Sequence, residues 1–378
     1  MPPKNRPLAG YATKTQALSA HLTEVAAKLG PGARLPTMQQ LSAELGISVM
    51  TLNRALSELE AQGIVVRRQG SGTYVGDRLG MRSVGLVYDR DVFAPGTSPF
   101  AGLLLREAER RASEHNEKFS VFLAAPSSAG LPVHDDLADA IRNRRLSGLL
   151  FAGESNPAAL KWLLRQRLPL VALSYAPVAP YRVMINHAQI ATLGVEALAD
   201  QGCERIGLWI PAGVGIGPTP GGTDFEELAA FRAALACRGL EYSPELVANL
   251  SDLTSGVPSV PPQTNQLQGF EAVHATFGPA GSDNPPDGLV ILDDMMTSGA
   301  VPALSRLGLK PGEDVRVATH SNHGSHLLFG LNDYLTLLEV DPGEIATQMF
   351  ALLEVLLKGE EPRQNVVSIG PRVILPSG

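Results

Sequence analysis

Residues 35–56 read LPTMQQLSAELGISVMTLNRAL, and this stretch decides how the N-terminal part of the chain folds. Leu35-Pro36 is an extended dipeptide, because the proline ring pushes the residue before it out of the helical region. Thr37 then N-caps a helix that runs to about Leu45. Gly46 supplies a tight turn. Ser48 caps a further helix whose core face is Leu52, Ala55, Leu56 and Leu59, and Gly63 ends it. Two helices joined in this way form a common device for setting the second helix into a DNA major groove.

Upstream, TQALSAHLTEVAAKL (15–29) places Ala17, Leu18, His21, Leu22, Val25, Ala26 and Leu29 on one stripe of an amphipathic helix. Gly30-Pro31-Gly32 stops it. Downstream, Ile64-Val65-Val66 and Thr73-Tyr74-Val75 flank RRQGSG (67–72), a β-ribbon with a basic, Gly-rich tip thin enough for a minor groove. Residues 1–82 hold ten Lys/Arg against five Asp/Glu, whereas the whole 378-residue chain has a net charge of −7. A basic head on an acidic body points to a polyanionic partner for the head. Lys is absent from 35–56 and Arg54 is its single Arg, so the phosphate grip falls to the flanking Arg34, Arg67 and Arg68.

PGARLPT, LGIS, MTLNRALSELEAQGIV and RRQGSGTYV resemble the winged helix-turn-helix of GntR-type bacterial transcription regulators, over roughly residues 10–76. The resemblance implies DNA contact by Arg34, Ser48, Met50, Thr51 and Arg54. It implies the same for the wing: Arg67, Arg68, Gln69, Gly70, Ser71 and Thr73. Thr37, Gln39 and Asn53 complete the expected set. The family usually has Arg where this chain has Gln39, and often at Val49 and Asn53. Arg at those places would favour guanine. Gln39 and Asn53 suit adenine, and Val49 or Met50 suits a thymine methyl, so an A·T-weighted half-site is expected.

After a short polar link (77–82), short apolar runs alternate with helical stretches. Strands are expected at 83–88, 119–123, 148–151, 170–173, 182–185, 205–210, 288–292 and 316–319. Helices are expected at 103–116, 135–145, 158–167, 190–201, 225–238, 268–277, 298–307 and 342–357. Near-continuous apolar strands between helices indicate parallel sheets covered on both faces. The length, nearly 300 residues, favours two similar lobes with a cleft at the strand carboxyl ends.

Catalytic signatures are weak. The loop PAGVGIGPTPGG (211–222) has the wrong glycine spacing for a dinucleotide fingerprint, and its prolines disrupt a helix start. There is no GxxxxGK[ST] or GxSxG. Asp293-Asp294 lacks an obvious third group for acid–base work. His320, His323 and His326 are three apart, follow the strand that ends at Thr319 and have no acid or Cys beside them, so lining a cleft, or simply standing in a solvated loop, is the better reading than holding a metal. Cys203 and Cys237 fit no metal spacing. With no apolar leader or spanning run, a cytoplasmic protein without metal, cofactor or membrane partner is expected.

VGLVYD, RRLSGLLFAGE, LPLVALSY, LGVEALADQGCERIGLW and DGLVILDDMMTSGAVPALSRLGLKPGEDVRVATHS resemble the effector domain of LacI-type regulators, itself similar to periplasmic sugar-binding proteins. The match spans almost all of 83–378, with distinctive loops at 211–223 and 253–267. It implies two Rossmann-like lobes, a small-molecule cleft and a dimer of paired lobes. Cleft residues carried over are Asp89, Phe93, Phe100, Glu154, Ser174 and Tyr175, then Asn186, His187, Glu227, Asp294, His320 and Asp341. Trp209 is a further aromatic candidate. Asp294 keeps the family type. Glu227 replaces an Arg that grips sugar hydroxyls, Asp341 a frequent Gln, and Asn186-His187 a usual Asp-Asn, which speaks against an ordinary neutral sugar and for either an amino or cationic ligand in an acidic cleft or a lost effector response.

The expected protein is an α/β chain in three parts: a winged helix-turn-helix (1–76), a linker (77–82) and a two-lobe ligand-binding and dimerisation domain (83–378). It reads as a dimeric transcription regulator, a repressor by preference, on a pseudo-palindromic double-stranded operator, with a carbohydrate-like effector. The alternatives are an effector-independent or activating regulator, or a soluble binding protein or enzyme on the two-lobe fold.

Overall fold

The computed structural model describes residues 9–61, 63–76, 81–92, 97–123, 130–153, 156–211, 226–249, 264–279, 281 and 283–377. The chain divides into two units, Met1–Ser83 with Asn116–Lys118 and Val84–His115 with Phe119–Gly378.

The first unit holds α1 (Ala9–Leu29), α2 (Met38–Leu45), α3 (Val49–Ala61), β1 (Val65–Arg68) and β2 (Gly72–Val75). The first helix begins earlier than its apolar stripe, since no Pro interrupts Ala9–Lys14. Thr37 and Gln40 form a capping box. Thr37 Oγ1 accepts from the Gln40 N–H at 3.3 Å, and Gln40 Oε1 accepts from the Thr37 N–H at 2.9 Å. Gly46 takes φ 64°, the left-handed conformation that favours glycine. Ser48 Oγ accepts from the Thr51 N–H at 3.2 Å, which starts α3. Leu22, Ala26, Leu41, Leu52, Leu56 and Leu59 are buried in one core with Val65 and Val75. The wing strands pair antiparallel, Val65 opposite Val75 and Arg68 opposite Gly72. Residues 33–35 flank β2, with the Leu35 N–H donating to Thr73 O at 2.8 Å.

The second unit continues with β3 (Ser83–Tyr88), α4 (Phe100–Glu114), β4 (Lys118–Leu123), α5 (Asp135–Arg142), β5 (Gly148–Ala152), α6 (Pro157–Leu164), β6 (Leu170–Leu173) and β7 (Arg182–Ile185). Then follow α7 (His187–Asp200), β8 (Ile206–Ile210), α8 (Glu226–Cys237), β9 (Val247–Asn249), α9 (Asn265–Phe277), β10 (Gly288–Ile291) and α10 (Asp294–Arg306). The last elements are β11 (Arg316–Asn322), β12 (Leu335–Val340), α11 (Pro342–Leu357), β13 (Val366–Ile369) and β14 (Arg372–Ile374). They build two six-stranded sheets, ordered β13-β7-β6-β5-β3-β4 and β14-β12-β11-β10-β8-β9. The pairings from β3 through β5, β6 and β7 to β13 are parallel, as are those from β9 through β8, β10 and β11 to β12. The last strand, β14, runs antiparallel to β12. Every residue of β5 and β10 is buried, as strands covered on both faces require.

The chain passes between the two sheets three times. After β7 in the first sheet, α7 packs on the second, and Gly194 lets it lie close: a Cβ there would sit 2.8 Å from Val290 Cγ1. After β12 in the second sheet, α11 covers β5, β6 and β7 of the first. Finally β13 joins the first sheet and β14 the second. Four strands, β9, β12, β13 and β14, were not expected from sequence. The strand β11 also reaches Asn322, so His320 stands in a strand rather than in the loop expected after Thr319.

Candidate functional site: a DNA-reading face and a ligand cavity

At the start of α3 the side chains face outward. Met50 is 81 % exposed and Val49 50 % exposed, and Ser48, Asn53 and Arg54 are exposed, with Thr51 half-buried. Arg34, Thr37 and Gln39 are exposed, as are the wing residues Arg68, Gln69, Gly70 and Ser71, and Thr73 is half-buried. Leaving apolar Val49 and Met50 in solvent costs burial energy, which fits a face reserved for another molecule.

Arg67 behaves differently from the other wing residues. Its Nη2 donates to Asn53 O at 3.0 Å and to Ser57 Oγ at 3.1 Å, and its Nε lies 3.3 Å from Glu60 Oε2. These bonds commit its fork to α3 and fix the wing's angle against that helix. Arg68 instead lies over the Tyr74 ring at 4.6 Å, with Tyr74 Oη 2.6 Å from Ser71 Oγ. Arg34 rests on Gly72, where a Cβ would come 2.9 Å from its Nε. The Arg54–Glu58 approach of 3.9 Å is exposed and weak.

In the second unit a cavity of about 400 Å³ opens at the carboxyl ends of both sheets, within the range of small-molecule sites. From the first sheet come Asp89, Phe100, Tyr175 and His187. From the second come Asp294 and His320. Sequence reasoning missed Tyr88, Arg90, Ser98, Asn265 and Asn322, which also line it, and had weighed Asp293 only as half of a catalytic pair. The available signal was position: each follows or ends an apolar strand, or starts the helix behind one.

Several expected residues stand elsewhere. Asn186 is the N-cap of α7, accepting from the Gln189 N–H. Asp341 is the exposed N-cap of α11 and accepts from the Gly343 N–H at 2.7 Å. Capping, which needs the same short polar side chains at strand ends, accounts for both. Glu227 is buried on α8 but is not in the cavity wall among the described residues, and burial raises its carboxyl pKa. Ser174 is buried, its Oγ accepting from the Ala176 N–H at 3.1 Å, and it is likewise absent from that wall. Trp209 is a core residue, 1 % exposed. Phe93 and Glu154 lie outside the described residues, as do most of the loops 211–223 and 253–267. The three histidines do not converge: His320 is buried, His323 approaches Glu339 at 3.1 Å, and His326 is exposed.

The cavity's polar groups are held in fixed poses. Asp89 accepts from the Asn156 N–H and from Arg90 Nε, both at 3.3 Å. Its carboxyl lies so close over Gly153 (φ 144°) that a Cβ there would fall 1.9 Å from Asp89 Cγ, so only glycine fits. Tyr175 Oη donates to Ile185 O at 3.0 Å and lies 2.9 Å from His187 Nδ1. A phenol has one proton, so His187 Nδ1 donates to Tyr175. Burial, with neighbouring His320, lowers His187 to about 3, and burial alone lowers His320 to about 4, so both rings are neutral at pH 7. Asn322 Nδ2 donates to Asp294 Oδ2 at 3.0 Å. Asp293 caps α10, accepting from the Met296 N–H at 2.7 Å, and burial plus the adjacent Asp294 pushes it up to about 7. Burial also raises Asp294, while Asn322 opposes that shift.

Residues 15–75 match the family of bacterial regulatory proteins called gntR, and residues 195–375 match the periplasmic binding protein-like domain. The chain joins a GntR-type head to a periplasmic-binding-protein-like body. The GntR-type head is similar to the histidine utilization repressor of Pseudomonas putida, 52 % identical over 50 residues, which are 13 % of this chain and 20 % of that one. The Klebsiella aerogenes protein of the same name is 37 % identical over 82 residues, 22 % of this chain and 33 % of that one. The chain thus spans between a fifth and a third of the length of these relatives. Over 304 residues it is 20 % identical to the arabinose metabolism transcriptional repressor of Halalkalibacterium halodurans, covering 77 % of this chain and 75 % of that one. Among solved structures, transcription regulator CcpA of Lactococcus lactis superposes with TM-score 0.58 at 15 % identity, over 78 % of this chain and 97 % of that one. A putative ribose operon repressor from Burkholderia thailandensis gives 0.56 at 20 %, over 77 % and 98 %. These superpositions establish the fold.

Proposed function

We propose that the protein is a sequence-specific DNA-binding transcription repressor whose operator affinity is set by a small hydroxyl-rich molecule in the lobe cavity. The observation that carries this reading is the outward face at the start of α3, with Met50 81 % exposed, beside a basic wing. The GntR-type match over residues 15–75 and relatives named as repressors support it. The names of the arabinose and ribose proteins favour a polyhydroxy effector. No helix of the described residues is long and apolar enough to cross a membrane, which fits action on cytoplasmic DNA. The chain works as a homodimer on a pseudo-palindromic site, since two heads must meet half-sites about one helical turn, ~34 Å, or a multiple apart. Ligand closes the two lobes, alters the half-site spacing the dimer can span, and releases the operator by population shift.

Selection of binding sites from random DNA tests the reading. An A·T-weighted half-site should be enriched, with affinity falling steeply as salt rises. A G·C-rich half-site refutes the base assignment of Gln39 and Asn53. No enrichment, or a flat salt response, refutes DNA binding by the head.

A further inference from the structure

The cavity's carboxylates are unequally matched. Asp89 has Arg90 beside it at 3.3 Å. Asp293 and Asp294 form no ion pair with Lys or Arg among the described residues, although they are adjacent in sequence and share one cavity wall. What holds them is the N-terminus of α10, with the Met296 N–H and the Asn265 side chain on Asp293 and the Asn322 amide on Asp294. Those groups are all neutral, and two carboxylates side by side with no counter-charge repel each other in a poorly solvated site. A helix start with an N-cap Asp accounts for Asp293 alone. It does not account for Asp294, 2 % exposed beside it.

A second observation points into the same space. The Oδ1 of Asn322, 3 % exposed, and the Nε2 of His320, 7 % exposed, have no hydrogen-bond partner, and both residues line the cavity. Buried polar atoms are ordinarily satisfied, so these two are sites a ligand completes. Asn322 Oδ1 is an acceptor. With the two carboxylates, this stretch of wall is rich in acceptors, and Arg90, the one Lys or Arg among the lining residues, is already placed at Asp89. Aromatic Tyr88, Phe100 and Tyr175 border the rest. A neutral sugar brings hydroxyls that both donate and accept. A protonated amine brings only donors and a positive charge, which is what the wall lacks.

We propose that the cavity takes a ligand carrying a protonated amine next to hydroxyl groups, an amino sugar or amino polyol in chemical class. The ammonium lodges between Asp293 and Asp294 and the hydroxyls reach Asn322, His320 and Asp89. This inference rests on the ligand-responsive reading above and narrows its effector.

The test is calorimetric titration of the full chain with matched probes. The pairs are glucosamine against glucose, galactosamine against galactose, mannosamine against mannose, and glucamine against sorbitol, with N-acetylglucosamine and glucuronate as controls. At least one amine should bind ten-fold or more tightly than its hydroxyl partner, and acetylating that amine should remove the gain. Asp294→Asn and, separately, the cap-preserving Asp293→Asn should each cut amine binding at least ten-fold. Equal binding within every pair, preference for glucuronate, or no binding by any amine overturns the proposal. A neutral sugar that binds and releases operator DNA would overturn it while leaving the repressor reading intact. A chain that binds amines but never DNA would do the reverse.

Discussion

Replacing Asp293 by Asn should change the way stability depends on pH. Asp293 is raised from 3.8 to about 7 by burial and by Asp294. Between those values the native protein keeps a proton that the unfolded chain has released. Stability therefore falls as pH rises through this window, because the unfolded state binds fewer protons. The full shift of about 3 units, at ~1.4 kcal/mol per unit, sets a ceiling of about 4 kcal/mol. Asp293 keeps partial exposure, and water reaching it screens the charge, so about half of that, ~2 kcal/mol, is expected. Asn caps helices as well as Asp does, so the variant loses the titration and keeps α10. His187 and His320, both depressed, contribute the opposite slope below pH 6.5, but they do so in both proteins and cancel in the difference. Denaturant unfolding at fixed ionic strength from pH 4.5 to 8.5 provides the measurement. Fluorescence suits it, since Trp162 on α6 and Trp209 on β8 place one of the two tryptophans in each lobe. The variant should gain about 2 kcal/mol relative to wild type across the range, levelling off above pH 8. A difference constant within about 0.5 kcal/mol would refute the burial argument for this carboxyl.

Arg67 and Arg68 should separate in a salt series. Arg68→Ala should lower the log–log salt slope of DNA binding by about 1, as loss of one phosphate contact does. Arg67→Ala should weaken binding through a loosened wing and leave the slope nearly unchanged; a drop like that of Arg68 would make Arg67 a phosphate contact. Gly194→Ala should destabilise the body by about 1–3 kcal/mol in denaturant unfolding, because its Cβ would lie 2.8 Å from Val290 Cγ1. A neutral result would mean that α7 can lift from β10 at no cost.

The head was legible almost residue by residue because its signals are local. Thr37, Gly46, Ser48 and Gly63 each mark a boundary through backbone chemistry that neighbours alone determine. Most of the buried parallel strands were legible for a related reason, their unbroken apolar runs, but β12 was missed although five of its six residues are buried. Two other missed strands had weaker marks: β13 and β14 are short strands on sheet edges, only partly buried, and they alternate poorly. Site residues were harder still. Asn186 and Asp341 stand at strand ends with the residue types a ligand needs, yet a helix N-terminus needs the same types. Only the fold separates the two uses. Arg67 shows a similar limit, since nothing local in the sequence announces its partners Asn53, Ser57 and Glu60.

The three passages of the chain between the sheets also set an order of events during synthesis. The first sheet has five of its strands by Ile185, but its covering helix α11 and its edge strand β13 are not complete until Ile369. At ~5–20 residues per second, the ribosome needs roughly 10–40 s to make the stretch between. For that interval one face of β5, β6 and β7 has no α11 against it, while the second lobe is being assembled. The head, being contiguous, is complete long before. The newborn protein thus carries a finished DNA reader on an unfinished body, and its demand for chaperone protection falls in the second half of translation.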